Sequence, residues 1–336
     1  GKVSAILVNS GNANVFNGKS GRLSLLKIVK ALSDSLEIPK NQIYIASTGV
    51  IGEPLEEKKI IKKIPFLISN LKNDTHSWLK AASAIMTTDT YPKTHSEKLY
   101  GSENLIINGI AKGSGMISPN MATMLAFIFT NVDFNRKSFK PTFFKIVKKT
   151  FNSITVDGDT STSDMVLFFS VRGKKNKKLI TKKDKYIFFS HLESLSSKLA
   201  EYIVKDGEGA SKFVKIKVTR AKREIDAKNI STSVANSPLF KTAMHGSDSN
   251  WGRIIMAVGK SNAIIDPEKL SLKFGKFTIL KKGKKSVSKN ISLIDKYLKN
   301  RELEITIDLG LGASEWTTST CDYSKEYISI NADYRS

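Results

Sequence analysis

The chain has 336 residues, 40% of them apolar, enough for one large hydrophobic core or two medium ones. Its longest apolar run, 121–130, falls well short of the ~20 residues a membrane span needs. Its single cysteine, Cys321, excludes an intrachain disulfide and suits a reducing compartment, so a cytoplasmic location is expected. The net charge of +23 invites a nucleic-acid reading, but its distribution argues against one. The lysines fall in small scattered clusters: Lys58, Lys59, Lys62 and Lys63 on one helix face, and Lys174 to Lys178 and Lys281 to Lys285 as polar hairpin tips. None is interleaved with aromatic residues, and neither zinc-finger spacing nor an RNA-recognition signature accompanies them. A solvated, lysine-biased surface without nucleic-acid or membrane partners is expected, with steering of anionic substrates as a by-product.

Strand and helix patterns alternate from end to end, which predicts a mixed α/β protein. Residues 3–8 read as a strand, and Gly1 opens the chain without a methionine, so further residues are expected before it. Leu25, Ile28, Val29, Leu32 and Leu36 form a helical stripe over 22–36. A short strand over 42–47 ends in Thr48-Gly49. The amphipathic stretch 56–71 reads as a helix interrupted or kinked at Pro65. A helix over 78–86 runs into Thr87-Thr88-Asp89-Thr90, and a strand over 105–110 runs into a loop at Lys112-Gly113-Ser114-Gly115. Residues 124–130 make a very apolar strand, expected to be buried on both faces. Helix over 139–151, strand over 164–171 and helix over 192–204 follow. The strand over 213–220 carries alternate lysines, hence one exposed face. From 269 to 307 short strands surround one helix near Leu293. No repeat, long linker or low-complexity tract interrupts the series.

The usual catalytic signatures are missing. His76, His95, His191 and His245 lie far apart without ligand-like spacing, and one cysteine cannot complete a zinc site, so no metal is expected. There is no Walker loop, no six-residue dinucleotide glycine pattern around Gly113-Ser114-Gly115 and no Gly-x-Ser-x-Gly elbow. What remains is a set of loops rich in small polar residues, and loops positioned by a rigid scaffold are where chemistry concentrates.

Those loops are Asn9-Ser10-Gly11-Asn12-Ala13-Asn14, Ser47-Thr48-Gly49-Val50-Ile51-Gly52, Thr155-Val156-Asp157-Gly158-Asp159-Thr160-Ser161-Thr162 and Asp206-Gly207-Glu208-Gly209-Ala210. With them stand Ala235-Asn236-Ser237-Pro238-Leu239, Asn250-Trp251-Gly252-Arg253 and the terminal Asn331-Ala332-Asp333-Tyr334-Arg335-Ser336. The longest motif is Lys112-Gly113-Ser114-Gly115-Met116-Ile117-Ser118-Pro119-Asn120-Met121-Ala122-Thr123-Met124-Leu125. In this order, from residue 9 to the last, the set resembles the ornithine acetyltransferase (glutamate N-acetyltransferase) family of arginine biosynthesis. The resemblance implies stacked mixed β-sheets flanked by helices, a fold shared with certain self-cleaving aminopeptidases.

It also implies a chain that cuts itself between Ala122 and Thr123. The products are a fragment 1–122 and a fragment 123–336 with a smaller C-terminal subdomain, which stay together and pair into a heterotetramer. A threonine hydroxyl is a poor nucleophile without a base. Cleavage creates an α-amino group on the same residue, with an ordinary pKa of about 7.7–8.0, able to take the Oγ1 proton. By the same resemblance Thr48 and Gly49 form the oxyanion hole. Thr87, Lys112, Thr123, Glu208, Asn331 and Ser336 contact substrate, Thr87 being preferred to Thr88 by spacing. Lys112 suits an α-carboxylate, and Glu208 is inferred to meet the ornithine δ-ammonium.

The implied reaction is a ping-pong transfer of acetyl from N2-acetylornithine to glutamate, without a cofactor. Some members also take acetyl-CoA, and the residues here do not decide that point. Three rival readings are a threonine-nucleophile aminopeptidase or amidohydrolase, a basic nucleic-acid-binding protein and a catalytically dead relative. The 112–125 motif and the terminal motif favour the transferase. The stretch 315–322, ahead of the terminal motif, departs from the family pattern, so the lid-like C-terminal segment is expected to differ from the family's.

Overall fold

The computed structural model describes residues 1–99, 105–118, 124–171, 177–178, 181–286 and 291–333. The first layer is a parallel pair, β1 (Ala5–Asn9) and β2 (Ile43–Ser47), aligned so that Asn9 faces Ser47. Parallel neighbours need a crossover connection, supplied by helix α1 (Gly18–Leu36). Helix α2 (Glu57–Ser69) packs beside α1, with Leu32, Ile43 and Ile64 at the centre of their shared core. The expected break at Pro65 does not occur: α2 runs through it. A proline inside a helix costs about 3 kcal/mol, through the missing N–H bond and the clash of its ring with the preceding turn. Ile64 and Ile68, on either side of the proline, are anchored in that core and offset the loss.

Helix α3 (Thr75–Ala84) is capped by Asp74, whose side chain accepts the Ser77 N–H. It leads to the antiparallel strands β3 (Lys93–Lys98), β4 (Ile106–Lys112) and β5 (Leu125–Thr130). After β6 (Val132–Asp133), α4 (Arg136–Lys149) and β7 (Ile154–Thr155) comes β8 (Met165–Ser170), which pairs in parallel with β5. The sheet order is β3-β4-β5-β8. Strand β9 (Lys177–Lys178) pairs with β6, so these two lysines lie on a strand rather than a hairpin tip. Helix α5 (Lys182–Lys205) is twice as long as its expected 192–204 core and starts with a capping box between Thr181 and Asp184.

The apolar character of β5 follows from its place. Ala126 and Ile128 face Phe188, Leu192, Leu195 and Leu199 of α5. Leu125 and Phe127 face the opposite way, toward Ala46, Ala82 and Ile85 in the β1–β2 layer and α3. The four-stranded sheet is therefore covered on both sides, as its sequence predicts.

The rest of the chain builds a mixed seven-stranded sheet. In chain order it contributes β10 (Phe213–Ala221), helices α6 (Glu224–Ala235), α7 (Pro238–His245) and α8 (Trp251–Gly259), then β11 (Ser271–Phe274), β12 (Phe277–Lys281) and β13 (Lys284–Lys285). Helix α9 (Ile291–Leu298), β14 (Glu302–Asp308), β15 (Ser314–Cys321) and α10 (Lys325–Ala332) complete it. The order is β13-β12-β11-β14-β10-β15-β7. Val214, Ile216 and Val218 of β10 pack on Ile230 of α6, Phe240 of α7 and Ile254 of α8, while Lys215 and Lys217 face solvent. The stretch 315–322, which departs from the family pattern, falls largely in β15, an inner strand between β10 and β7, with Trp316, Thr318 and Thr320 on its buried face. Among the described residues no helix is long and apolar enough to cross a membrane.

Candidate active site

Three sheet ends converge. The ends of β1 and β2 carry the loops 9–14 and 47–52, and Asn12 forms bridges with both Thr48 and Val50. Asn9 ties the two loops together, donating from Nδ2 to the Asn12 carbonyl at 2.8 Å and accepting the Ser47 hydroxyl at 2.7 Å. Gly49 sits at φ +130°, and a Cβ there would overlap the backbone of Gly11 and Asn12. Only glycine fits that close approach. Thr48, one residue earlier, is buried.

Lys112 is the last residue of β4 rather than part of a loop, and its side chain is only 2% exposed. Its Nζ donates to Thr87 Oγ1 at 2.7 Å and to Thr48 Oγ1 at 3.3 Å, and lies 3.8 Å from Asp89 Oδ2. An ammonium group only donates. Both threonine oxygens therefore act as acceptors toward Lys112, which leaves their own O–H protons for another acceptor. Burial pushes the Lys112 pKa down, against the pull of Asp89 and Glu208 in the other direction.

Asp89 is a hub that residue patterns did not single out. Its Oδ1 accepts Lys93 Nζ at 2.6 Å and the Gly113 N–H at 2.7 Å, and its Oδ2 accepts the Thr87 N–H at 3.1 Å. Burial would raise this carboxyl, but Lys93, Lys112 and the Gly113 N–H hold it below the ordinary carboxylate range. Lys93 also reaches Asp206 Oδ2 at 2.5 Å, and Asp206 accepts the Thr90 N–H and hydroxyl. The polar runs 87–90, 112–114 and 206–208 are thus joined underneath by buried charges.

Glu208 and Asn331 form the second half of the constellation. The Ser114 carbonyl accepts the Glu208 N–H at 3.2 Å, and Asn331 Nδ2 donates to Glu208 Oε2 at 2.8 Å. Gly115 lies flat against the Glu208 carboxylate, where any Cβ would overlap it. Asn331 belongs to α10, not to a loose tail.

Both flanks of the 119–123 segment are held by carboxylates from one loop. Asp157 accepts the Met116 N–H at 2.5 Å and the Ile117 N–H at 3.0 Å, and burial raises its pKa to about 6. Asp164 Oδ1 accepts the Met124 N–H at 3.0 Å, while its buried Oδ2 has no hydrogen-bond partner among the described residues. Burial raises the Asp164 pKa to about 7. Strand β5 begins beside the site, with Leu125 in register with Lys112.

Of the residues expected from sequence, the structure gathers Thr48, Gly49, Thr87 and Lys112 into one cluster and Glu208 with Asn331 into an adjoining one. Ala122, Thr123 and Ser336 lie outside the described residues. Asp89, Lys93, Asp206, Asp157 and Asp164 were missed as functional groups. Nothing in the sequence separates Lys93 from the many surface lysines, although Asp89 and Asp157 sit inside quoted polar runs. Among the described residues no three His, Cys, Asp or Glu side chains are placed to hold a metal ion.

The sequence model of the ArgJ family matches residues 1–336. The arginine biosynthesis bifunctional protein ArgJ of Bartonella henselae is 43% identical over 340 residues, covering 100% of this chain and 82% of its own length. Its counterpart in Ruegeria pomeroyi is 44% identical over 333 residues, covering 99% and 80%. Among solved structures, the arginine biosynthesis bifunctional protein argJ of Bacillus halodurans superposes with a TM-score of 0.58 at 32% identity, covering 62% of this chain and 98% of its own.

Proposed function

From the premise that this chain belongs to the ArgJ family and is an enzyme of arginine biosynthesis, we propose that it transfers acetyl from N2-acetylornithine to glutamate through Thr123. The observation that carries the reading is Lys112, buried at the end of β4 between Thr48 and Thr87 and next to the start of β5.

The chain is cut between Ala122 and Thr123, and the freed α-amine accepts the Oγ1 proton as Oγ1 attacks the acetyl carbonyl. The oxyanion is met by the Thr48 hydroxyl, whose proton Lys112 leaves free, and by the Gly49 N–H. The tetrahedral intermediate expels the α-nitrogen of ornithine, which takes up the proton, and the acetyl group stays on Thr123. Glutamate then attacks the ester with its neutral α-amine, and Thr123 regains its hydroxyl proton. Lys112 pairs with the substrate α-carboxylate, flanked by Thr87. Glu208, oriented by Asn331, faces the δ-ammonium of ornithine, and Ser336 closes the substrate site.

The position of the cut makes physical sense in this fold. It falls between β4 and β5, hydrogen-bonded neighbours that share both cores, so severing the connection leaves the ladder and its packing in place. Fragments 1–122 and 123–336 accordingly remain associated, and pairs of them form the working cytoplasmic heterotetramer.

Intact-mass spectra of the denatured protein beside a Thr123→Ala variant test the proposal. Two fragments, the larger beginning at Thr123 and absent from the variant, are expected. Wild-type protein incubated with N2-acetylornithine gains one acetyl group on that larger fragment, and added glutamate removes it. A single uncut chain in both samples, or an acetyl group elsewhere, refutes the reading. Acetyl-CoA offered in place of acetylornithine reads out whether it serves as a second donor.

A further inference from the structure

We propose that Asp89 is a positioning residue that holds Lys112 charged and aimed at the substrate carboxylate, with Lys93 as the cation that sets how strongly it does so. The inference rests on the role given to Lys112 above and concerns a side chain that substrate does not touch.

Lys112 sits where an ammonium group has little water to keep it protonated. Among the described residues, the groups that face it are Asp89, Lys93 and Glu208 as charges, and Thr48 and Thr87 as hydrogen-bond acceptors. Thr48 and Thr87 are neutral. Glu208 is engaged by Asn331 and is reserved for the far end of the substrate. Asp89, with its side chain wholly buried, is thus the counter-charge left for Lys112 among the described residues, and it shares that charge with Lys93.

The same carboxylate also fixes geometry. By accepting the Thr87 N–H and the Gly113 N–H it sets the two backbone segments that deliver Thr87 and Lys112. The buried charges alternate along a line, Asp206, Lys93, Asp89, Lys112, with contacts of 2.5, 2.6 and 3.8 Å. Lys93 is closer to Asp89 than Lys112 is, so it competes for that charge and depresses Lys112. The longest contact is at the substrate end, which leaves the Lys112 ammonium its hydrogen for a carboxylate ligand. Removing Asp89 strips Lys112 of its counter-charge, whereas removing Lys93 hands all of Asp89 to it. Opposite signs of effect from two touching residues are what a purely structural role would not produce.

The test is the pH profile of kcat/KM for N2-acetylornithine in self-cleaved wild type, Asp89→Asn and Lys93→Met. In Asp89→Asn the descending alkaline limb moves to lower pH by about 1–3 units, the range an opposite charge at this separation typically controls. KM there rises more than tenfold, with a smaller change in kcat. In Lys93→Met the limb moves to higher pH or leaves the measurable range, and KM does not rise. If Asp89→Asn does not fold, Lys93→Met alone decides. A limb displaced downward in Lys93→Met, or unmoved in a folded Asp89→Asn, overturns the inference. Lys112→Met separates this failure from failure of the functional reading: a KM for acetylornithine unchanged by that substitution sinks the role of Lys112 itself, whatever Asp89 does.

Discussion

Replacing Thr48 by valine separates the proposed oxyanion hole from simple substrate binding. Valine keeps the shape of threonine and removes the hydroxyl. On the folded-state side the loss is small. Thr48 accepts one long bond from Lys112, 3.3 Å, and Lys112 retains Thr87 at 2.7 Å and Asp89. A net loss of about 1.5–3 kcal/mol is expected for a bond to a charged group. A domain stable by about 5–15 kcal/mol stays more than about 95% folded after that loss. On the catalytic side, deleting one preorganised oxyanion donor lowers turnover by about 10²–10³-fold, equivalent to about 2.7–4 kcal/mol. The two magnitudes differ enough that loss of folded protein cannot account for the kinetic effect. The assay is quenched-flow formation of acetyl-Thr123 from N2-acetylornithine, read by mass on variant protein already self-cleaved, with steady-state kcat and KM alongside. A variant within fivefold of wild-type kcat but with a raised KM would show that Thr48 only binds the ground state, and the oxyanion assignment would be wrong.

Gly49→Ala forces a Cβ into the backbone of Gly11 and Asn12 at φ +130°, so a stability loss of about 2–4 kcal/mol and a depressed Tm in thermal melts are expected. An unchanged Tm would mean that the turn relaxes freely. Glu208→Gln removes the charge proposed to face the δ-ammonium, so KM for acetylornithine is expected to rise about tenfold or more while KM for glutamate does not. An equal rise for both substrates refutes that contact. Asp164 has a folded pKa of about 7, above the ordinary 3.8, so its protonated form favours folding and its contribution is lost as pH rises through 7. Asp164→Asn, which still accepts the Met124 N–H, gains stability over wild type between about pH 4 and 7 and levels off above. The gain at the plateau is about 1–2 kcal/mol after allowance for partial exposure, and urea melts at pH 5 and 8 measure it. A difference independent of pH would show that Asp164 is not the titrating group.

Elements with strong apolar periodicity were readable: β5 is nearly all apolar because both its faces are covered, and β10 alternates because one face is wet, whereas β3, with the sequence Lys-Thr-His-Ser-Glu-Lys, carries no such signal and was not foreseen. Strand β15 escaped because the face it buries is Trp316, Thr318 and Thr320, and a run of threonines reads as a polar loop until Ser231 and Lys241 are found bonding to it. Helices α6 to α8 were seen only as motifs. The buried face of α6, Asp226, Ala227, Ile230, Ser231, Val234 and Ala235, mixes polar and small residues with its two large apolar ones, which blurs the helical stripe, although Ser237 before Pro238 is a legible cap signal for α7. The site was legible through family resemblance rather than through spacing, since Thr48, Thr87 and Lys112 come from separate elements. Their support was not legible. In a chain with 54 Lys and Arg residues, a lysine such as Lys93 or Lys241 looks like surface until its partners are known.

Why a site of this kind sits at the ends of stacked sheets follows from what it must hold. Thr48 leaves β2, Lys112 closes β4 and Met124 precedes β5. The β1–β2 layer packs directly on the four-stranded sheet through Ala46, Ile110, Leu125 and Phe127. That contact fixes the turn proposed as the oxyanion hole relative to the lysine and to the start of β5, so three groups distant in sequence are set by one core. Burying Lys112 strengthens its pull on a carboxylate but threatens its own charge, and the line of alternating charges behind it answers that threat without exposing it to water. In the mechanism proposed above, self-cleavage supplies what this site does not draw from a histidine, an amine on the same residue as the nucleophile. The proposed cut lies between β4 and β5, which are paired by their own ladder, so under that mechanism the base is made after folding without loosening the frame.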